Sequence, residues 1–190
     1  MRKMFSALLC VVLIAGLTGI ALARETMTVD SRVQVNVEPT VTVGVLAPGG
    51  TPTIQPGHED ATIEVGFMVD SNSQMLRIGA AASNLFKGDV PGGPYSLVRK
   101  GGVKIVCPLA NTLNGVSNVA QYTAGTVTIN GFEAFQTNSI IFESSQSNRF
   151  SLPCYLTFVW ATNDSELPTG QYSGYVRFIG TVVPPGTTQQ

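Results

Sequence analysis

Apolar and polar residues alternate from Met27 to Val45 in one unbroken phase. The odd positions are mostly valine, and the even positions between them are polar residues or glycine. A period of two predicts β-strand with one apolar face and one polar face. Because a typical strand has only about five or six residues, the stretch predicts two strands in series. The joint is expected at Glu38-Pro39, since proline cannot donate a hydrogen bond to a β ladder.

The rest of the chain predicts further short strands separated by turns. An Asn130-Gly131 pair between two apolar runs is the signature of a tight hairpin. The segment Cys154–Trp160 is apolar at successive positions, which predicts a central strand with both faces covered. The other predicted strands are Ile63–Val69, Met75–Ala81, Val103–Cys107, Ser139–Glu143 and Gln171–Val183. With no sustained helical periodicity, this pattern predicts an all-β antiparallel sandwich.

The N-terminus has the three parts of a secretory signal peptide in the right order. Arg2 and Lys3 precede an uncharged apolar run, and the triplet Ala21-Leu22-Ala23 closes it. The run is near the lower length for a membrane span, so an uncleaved anchor is the alternative, and the small-residue triplet favours cleavage. We therefore expect residues 1–23 to be removed, which leaves 167 of the 190 residues as one domain.

Charge and cysteine content fit an exported β protein. Removing Arg2 and Lys3 changes the formal net charge from −1 to −3, which does not favour binding to nucleic acid. Cys10 is lost with the signal, so Cys107 and Cys154 remain. An isolated pair in an oxidising compartment predicts a disulfide between them. A metal pair is disfavoured because His58 is the chain's single histidine.

The sequence contains no recognisable catalytic motif. A Gly-x-Ser-x-Gly elbow, a phosphate-binding glycine loop and a His-x-x-x-His pair are all absent. His58 stands alone in a Pro/Gly loop, and Trp160 lies in an apolar strand, where a core position is expected rather than a sugar-binding platform. We expect no enzymatic activity, no cofactor and no metal.

Residues 25–37 call for a functional explanation. One alternative is that this alternating segment pairs within its own domain as a first strand. The other is that it completes the sheet of a second molecule, with backbone hydrogen bonds giving affinity and alternate side chains filling pockets. The restart of the pattern after Pro39 favours the second reading. A long apolar strand at a terminus is also an aggregation hazard unless the protein uses it.

Two motifs resemble a known family. The segment Val33-Gln34-Val35-Asn36-Val37-Glu38-Pro39-Thr40-Val41 is similar to the N-terminal signature of chaperone–usher pilins of the colonisation-factor, alpha-clade type. The segment Leu167-Pro168-Thr169-Gly170-Gln171-Tyr172-Ser173-Gly174-Tyr175-Val176 is similar to the element that leads into the last strand of such pilins. The Cys107/Cys154 pair departs from the shaft pilins of that clade, which leaves open the clade and the choice between a shaft and a tip subunit.

The resemblance implies an incomplete immunoglobulin-like sandwich over residues 38–190, preceded by a donor-strand extension over residues 24–37. A periplasmic chaperone and an outer-membrane usher would be its partners during export to the cell surface. Copies of this chain or related pilins would then join it in a fimbria. The inserting side chains would be Val29, Val33, Val35 and Val37, with Met27 as a fifth candidate. The acceptor groove would be lined by Val41, Val43, Val45, Val176, Phe178 and Val182.

Two other functions stay open from the residues alone. A self-contained periplasmic or cell-surface binding module, for instance for carbohydrate, would use the same fold with residues 25–37 paired inside the domain. A small secreted hydrolase would need paired carboxylates, and the acidic residues are few and scattered.

Overall fold

The computed structural model describes residues 39–55, 57, 59–162 and 166–184. Within these residues the chain forms thirteen β-strands and one short 3-10 helix, Leu113–Gly115. The strands are β1 (Val41–Ala47), β2 (Ala61–Ser71), β3 (Met75–Ser83), β4 (Leu85–Lys87), β5 (Ser96–Arg99), β6 (Gly102–Val106), β7 (Ala110–Thr112), β8 (Val119–Ile129), β9 (Phe132–Thr137), β10 (Ile140–Ser144), β11 (Phe150–Ala161), β12 (Tyr172–Ser173) and β13 (Val176–Val182). The all-β fold predicted from the sequence is confirmed.

The strands form two antiparallel layers with a shared interior. In the first layer β1 pairs with β2, β2 with β11, and β11 with β5 and β6. In the second, β3 is central and pairs with β13 along one edge and with β9 and β10 along the other. Strand β8 belongs to both layers, because its start pairs with β6 and its end with β9. This arrangement is that of a β-sandwich.

The interior is apolar and comes from both layers. Phe150, Leu156 and Phe158 of β11 are fully buried, as are Leu76 and Ile78 of β3. Burial of this kind of surface is the dominant stabilising term, at roughly 25 cal/mol per Å² removed from water. Trp160 is 1% exposed, and its Nε1 donates a hydrogen bond of 2.9 Å to the Ser83 carbonyl. The prediction that Trp160 is a core residue is confirmed.

The Asn130-Gly131 hairpin forms as predicted between β8 and β9. Asn130 and Gly131 have φ values of 50° and 86°, the left-handed region that a two-residue primed turn requires at both positions. Ile129 and Phe132 are paired directly across the turn. The local sequence therefore determines both the position of this turn and the register that follows from it.

Two sequence predictions need correction. The segment Cys154–Trp160 is central as expected, but only one face of β11 is buried, since buried and half-buried residues alternate along it. The sandwich has two layers, so one face of a central strand stays near solvent. The predicted last strand, Gln171–Val183, is broken into β12 and β13. At the break a Cβ on Gly174 would lie 2.5 Å from Ser83 Oγ, so the chain leaves β4 and joins β3 through a contact that only glycine permits.

Three short strands were not predicted from the sequence: β4, β5 and β7. They have three or four residues each, which is too short for an alternating pattern to be read. The loop Asp89–Pro94, which is rich in Pro and Gly, precedes β5.

Cys107 and Cys154 form the predicted disulfide. Cys154 lies in β11, and Cys107 directly follows β6, the strand that pairs with β11. Both cysteines are buried in the main apolar core. A disulfide of this kind is typical of proteins that fold in an oxidising compartment.

Candidate functional site

The first side of the candidate site is the edge strand β1. It pairs with β2 through an antiparallel register that sets Val43 opposite Val69 and Val45 opposite Phe67. Residues directly opposite in an antiparallel pair lie on the same face of the sheet. Val69 and Phe67 are buried, whereas Val43 and Val45 are 43% and 68% exposed. The apolar face of β1 therefore continues the core-facing surface of the layer without being covered.

Strand β13 supplies the second side. It pairs with β3 along its whole length, from Val176 opposite Ala82 to Val182 opposite Leu76. Its inward side chains, Val176, Phe178 and Val182, are half-buried and pack against the main core. The ring of Phe178 lies 5.3 Å from that of Phe67 in β2, so β13 reaches across the interior to the layer that contains β1.

The two edge strands lie beside each other and run in opposite directions. Val41 is opposite Ser71 and Val182 is opposite Leu76, and both positions adjoin the turn that joins β2 to β3. Ala47 and Val176 lie at the other end. Within the described part of the chain, β1 has no strand partner other than β2, and β13 has none other than β3. We call the surface formed by Val41–Ala47 and Val176–Val182 the β1–β13 groove.

The residues predicted to line an acceptor groove fall on these two strands. Val41, Val176, Phe178 and Val182 are half-buried and pack on the same core cluster. Val43 and Val45 lie on the same strand as Val41 but are exposed. The predicted donor residues Met27, Val29, Val33, Val35 and Val37 lie outside the described residues, as does His58.

A cavity of about 840 Å³ opens at one end of the groove, beyond Ala47. Its floor consists of buried apolar side chains from four strands: Ala61 and Val65, Leu85, Leu97 and Trp160. The loops 49–54 and 167–171 form its sides. The sequence alone does not predict this cavity, because its lining comes from several strands and two loops that meet only in the folded chain.

The titratable groups whose pKa values shift form a separate cluster. The guanidinium carbon of Arg99 lies 3.2 Å from the ring centre of Phe135 and 5.2 Å from that of Tyr122. Burial raises the pKa of Tyr122 to about 12, although the nearby Arg99 charge opposes the shift. Burial also lowers the pKa of Arg99, and Tyr122 and Glu133 oppose that change. The cluster has the cation–π geometry of a structural contact.

The described residues contain no group of three or more His, Cys, Asp or Glu side chains that is placed to hold a metal ion. In the same residues, no helix has the length and apolar content to cross a membrane.

Comparison with protein-family models, with curated proteins and with solved structures gives no match for this chain.

Proposed function

We propose that this protein is a structural subunit of a surface fimbria that polymerises by donor-strand exchange after export. In this proposal residues 24–37 of one subunit occupy the β1–β13 groove of the next, within an incomplete immunoglobulin-like sandwich. A periplasmic chaperone and an outer-membrane usher handle the subunit on its way to the cell surface. The single observation that carries the proposal is the pair of adjacent edge strands with half-exposed valines.

The groove offers what an added strand needs. An edge strand presents unpaired backbone groups that another chain can bond, and alternate side chains of that chain can enter the apolar surface between the layers. Val43 and Val45 are positioned to receive such side chains, because their register partners in β2 are already core residues. Each donor valine that becomes fully buried would contribute on the order of 1.5 kcal/mol.

The length of the groove limits how many donor residues it can hold. Strands β1 and β13 have seven residues each. A seven-residue strand spans roughly 23 Å and presents at most four side chains to one face. The five candidate donor residues span Met27 to Val37, which is eleven positions. The proposal therefore expects Val33, Val35 and Val37 to insert together, and Val29 and Met27 to lie beyond the seven-residue register that contains them.

Insertion also requires movement. Some Cα atoms of β1 and β13 lie within 8 Å of each other. A strand hydrogen-bonded on both sides needs its neighbours about 9.6 Å apart, which is twice the usual spacing between strands. The donor strand must therefore separate the two edges where they are closest. A helper protein that holds the groove open would therefore speed assembly, without being required for it.

The disulfide supports the proposed location. Cys107 and Cys154 are bonded within the core, which fits folding in an oxidising compartment such as the periplasm. The signal-peptide pattern over residues 1–23 supports the same route.

A complementation experiment tests the proposal. The donor-defective variant carries Val33→Asp and Val35→Asp, and the acceptor-defective variant carries Val43→Asp and Val45→Asp, all in a protein that begins at Arg24. Each variant alone should remain monomeric, because a charge cannot be buried unpaired in an apolar groove. A mixture of the two should form a dimer and no longer polymer, detected by light scattering, since only one productive donor–acceptor pair exists.

Matched controls place the same charges on the opposite faces. Gln34→Asp with Asn36→Asp places two charges on the polar face of the donor segment, and Gly44→Asp places one on the exposed polar face of β1. Both control proteins should still assemble into fibres visible by electron microscopy. The proposal is wrong if the mixture stays monomeric while the unmodified protein is also a stable monomer. That outcome would favour the self-contained binding module, with residues 25–37 paired inside their own domain.

A further inference from the structure

The cavity beyond the end of β1 is a second apolar feature, distinct from the groove. Of the six residues predicted to line the acceptor groove, only Val176 also lines the cavity. The remaining walls belong to β2, β4, β5, β11, β12 and the loops at this end of the sandwich. Strand β1 ends at Ala47, and the floor residues Leu85, Leu97 and Trp160 belong to β4, β5 and β11, none of which is an edge of the groove.

The size of the cavity corresponds to a small molecule. Ligand pockets usually have volumes of about 300–1,000 Å³, a mostly apolar lining and a few polar groups at one side. This cavity has a volume of about 840 Å³ and a buried floor of aliphatic side chains and one indole. Its exposed rim carries the neutral polar side chains of Thr51, Thr53, Thr169 and Gln171.

The chemistry of the lining limits the ligand further. None of the described residues that line the cavity is Asp, Glu, Lys, Arg or His. A charged group held against this floor would lose its hydration without gaining an oppositely charged partner among these described residues. The indole nitrogen of Trp160 is already bonded to the Ser83 carbonyl, so the floor offers the ligand an apolar surface rather than that donor.

We propose that this cavity binds a neutral, largely apolar small molecule that carries one hydrogen-bonding end, such as a medium-chain or aromatic alcohol. The apolar body lies on the floor formed by Ala61, Leu97 and Trp160. The polar end faces the rim, where threonine hydroxyls and the Gln171 amide can bond it. This site is independent of the proposed assembly, because the ligand needs no inserted strand.

A pair of fluorescent probes tests both the site and its charge preference. N-phenyl-1-naphthylamine is neutral, and 8-anilinonaphthalene-1-sulfonate adds a sulfonate to the same two ring systems. Trp160 is the only tryptophan of the chain and lies at the floor, so energy transfer from it reports that the probe has bound to the protein, and the variants below show where. Titration into the protein that begins at Arg24 should give saturable binding of the neutral probe. The sulfonate should bind at least tenfold more weakly.

A variant at the floor shows whether the probe occupies this cavity. Ala61 lines it from the buried face of β2, so Ala61→Phe should fill part of the space and weaken binding at least tenfold. Thr62→Phe adds the same ring on the exposed face of the same strand and should leave binding unchanged. Methyl NMR of the unmodified protein gives a second measurement that does not depend on a variant. The neutral probe should shift the signals of Ile54, Leu97 and Leu167 and leave that of Val103 unchanged.

Each of the following outcomes would overturn the proposal. Absence of saturable binding would show that the cavity takes no small ligand of this class. Equal binding by Ala61→Phe, or methyl shifts confined to other residues, would place the probe elsewhere. Displacement of the probe by a synthetic peptide of residues 24–37 would mean that the cavity is the end of the acceptor groove, which supports the assembly and removes the separate site. Probe binding together with failed complementation would leave this inference standing and remove the proposed function.

Discussion

Strands β1 and β2 have the same alternating pattern of apolar residues and are hydrogen-bonded to each other. The apolar face of β2 is buried, whereas most of the apolar face of β1 is exposed. Val69 and Phe67 of β2 are 0% and 7% exposed. Their register partners in β1, Val43 and Val45, are 43% and 68% exposed. The two pairs share one face of one layer, so sequence pattern does not explain the difference.

Position in the sheet explains it. β2 has strand partners on both edges, β1 and β11, and β13 of the opposite layer packs over it through Phe178. β1 lies at the edge, where the described part of the opposite layer no longer covers it. An apolar edge that stays uncovered is a site for another strand. The proposed interface therefore lies on β1, whereas β2 and β11 carry buried side chains that stabilise the domain.

The largest expected effect comes from removing the disulfide, which joins β11 to the residue after β6 within the buried core. Replacing both Cys107 and Cys154 with alanine releases a loop with a sequence separation of 47 residues. The chain-entropy description of disulfides then predicts a loss of about 4 kcal/mol in the free energy of unfolding. Urea unfolding of the variant and the oxidised parent measures it. A loss below about 1 kcal/mol would contradict a stabilising role for the bond.

The second prediction tests a register pair directly. Phe67→Ala should cost about 3 kcal/mol, because it removes a buried ring that packs on Phe178 and leaves a cavity. Val45→Ala, at the partnered position in β1, should cost less than about 0.5 kcal/mol in the monomer. Urea unfolding of donor-defective protein, which cannot assemble, gives both values. Similar losses at the two positions would show that β1 is covered after all.

The third prediction uses pH to examine a polar group in the interior. Burial raises the pKa of Tyr122 from its ordinary value of 10.0 to about 12. The folded state therefore keeps the phenol proton where the unfolded state has lost it. Stability from this group is complete below pH 10 and is lost as the pH rises through 12, by up to about 3 kcal/mol for a shift of two units.

Tyr122→Phe should remove that part of the alkaline loss. The measurement is the free energy of unfolding of the variant and its parent at about pH 9 and about pH 11.5, since all other titrating groups are common to both proteins. The parent should lose more stability than the variant between these two conditions. Equal losses would mean that the Tyr122 hydroxyl is accessible to water in the folded protein.

The smallest expected effect is on the exposed edge itself. Val43→Asp should change the free energy of unfolding of the monomer by less than about 0.5 kcal/mol, as should Gly44→Asp on the opposite face. The two variants should differ only in assembly, where Val43→Asp blocks insertion and Gly44→Asp does not. A large loss of monomer stability in Val43→Asp alone would indicate that β1 is already covered within one chain.

Most elements of the fold followed from local pattern. The hairpin at Asn130-Gly131, the start of β1 after Pro39 and the long strands β2 and β11 were all predictable, because period two and turn residues are local signals. Strands β4, β5 and β7 were not, since three or four residues form a strand only when neighbouring chains supply their hydrogen bonds. The break at Gly174 depends on the close approach of Ser83, which lies far away in the sequence.

The sequence by itself determined the class of fold, the disulfide and which valines share a face, because alternation and cysteine count act within one strand or one pair. Only the tertiary structure decided which of those faces is covered. Val43 and Val69 are indistinguishable by pattern, and their burial differs because the second layer packs over β2 and leaves β1 at the edge. The cavity beyond Ala47 was decided in the same way, since its lining comes from six strands and two loops that meet only in the folded chain.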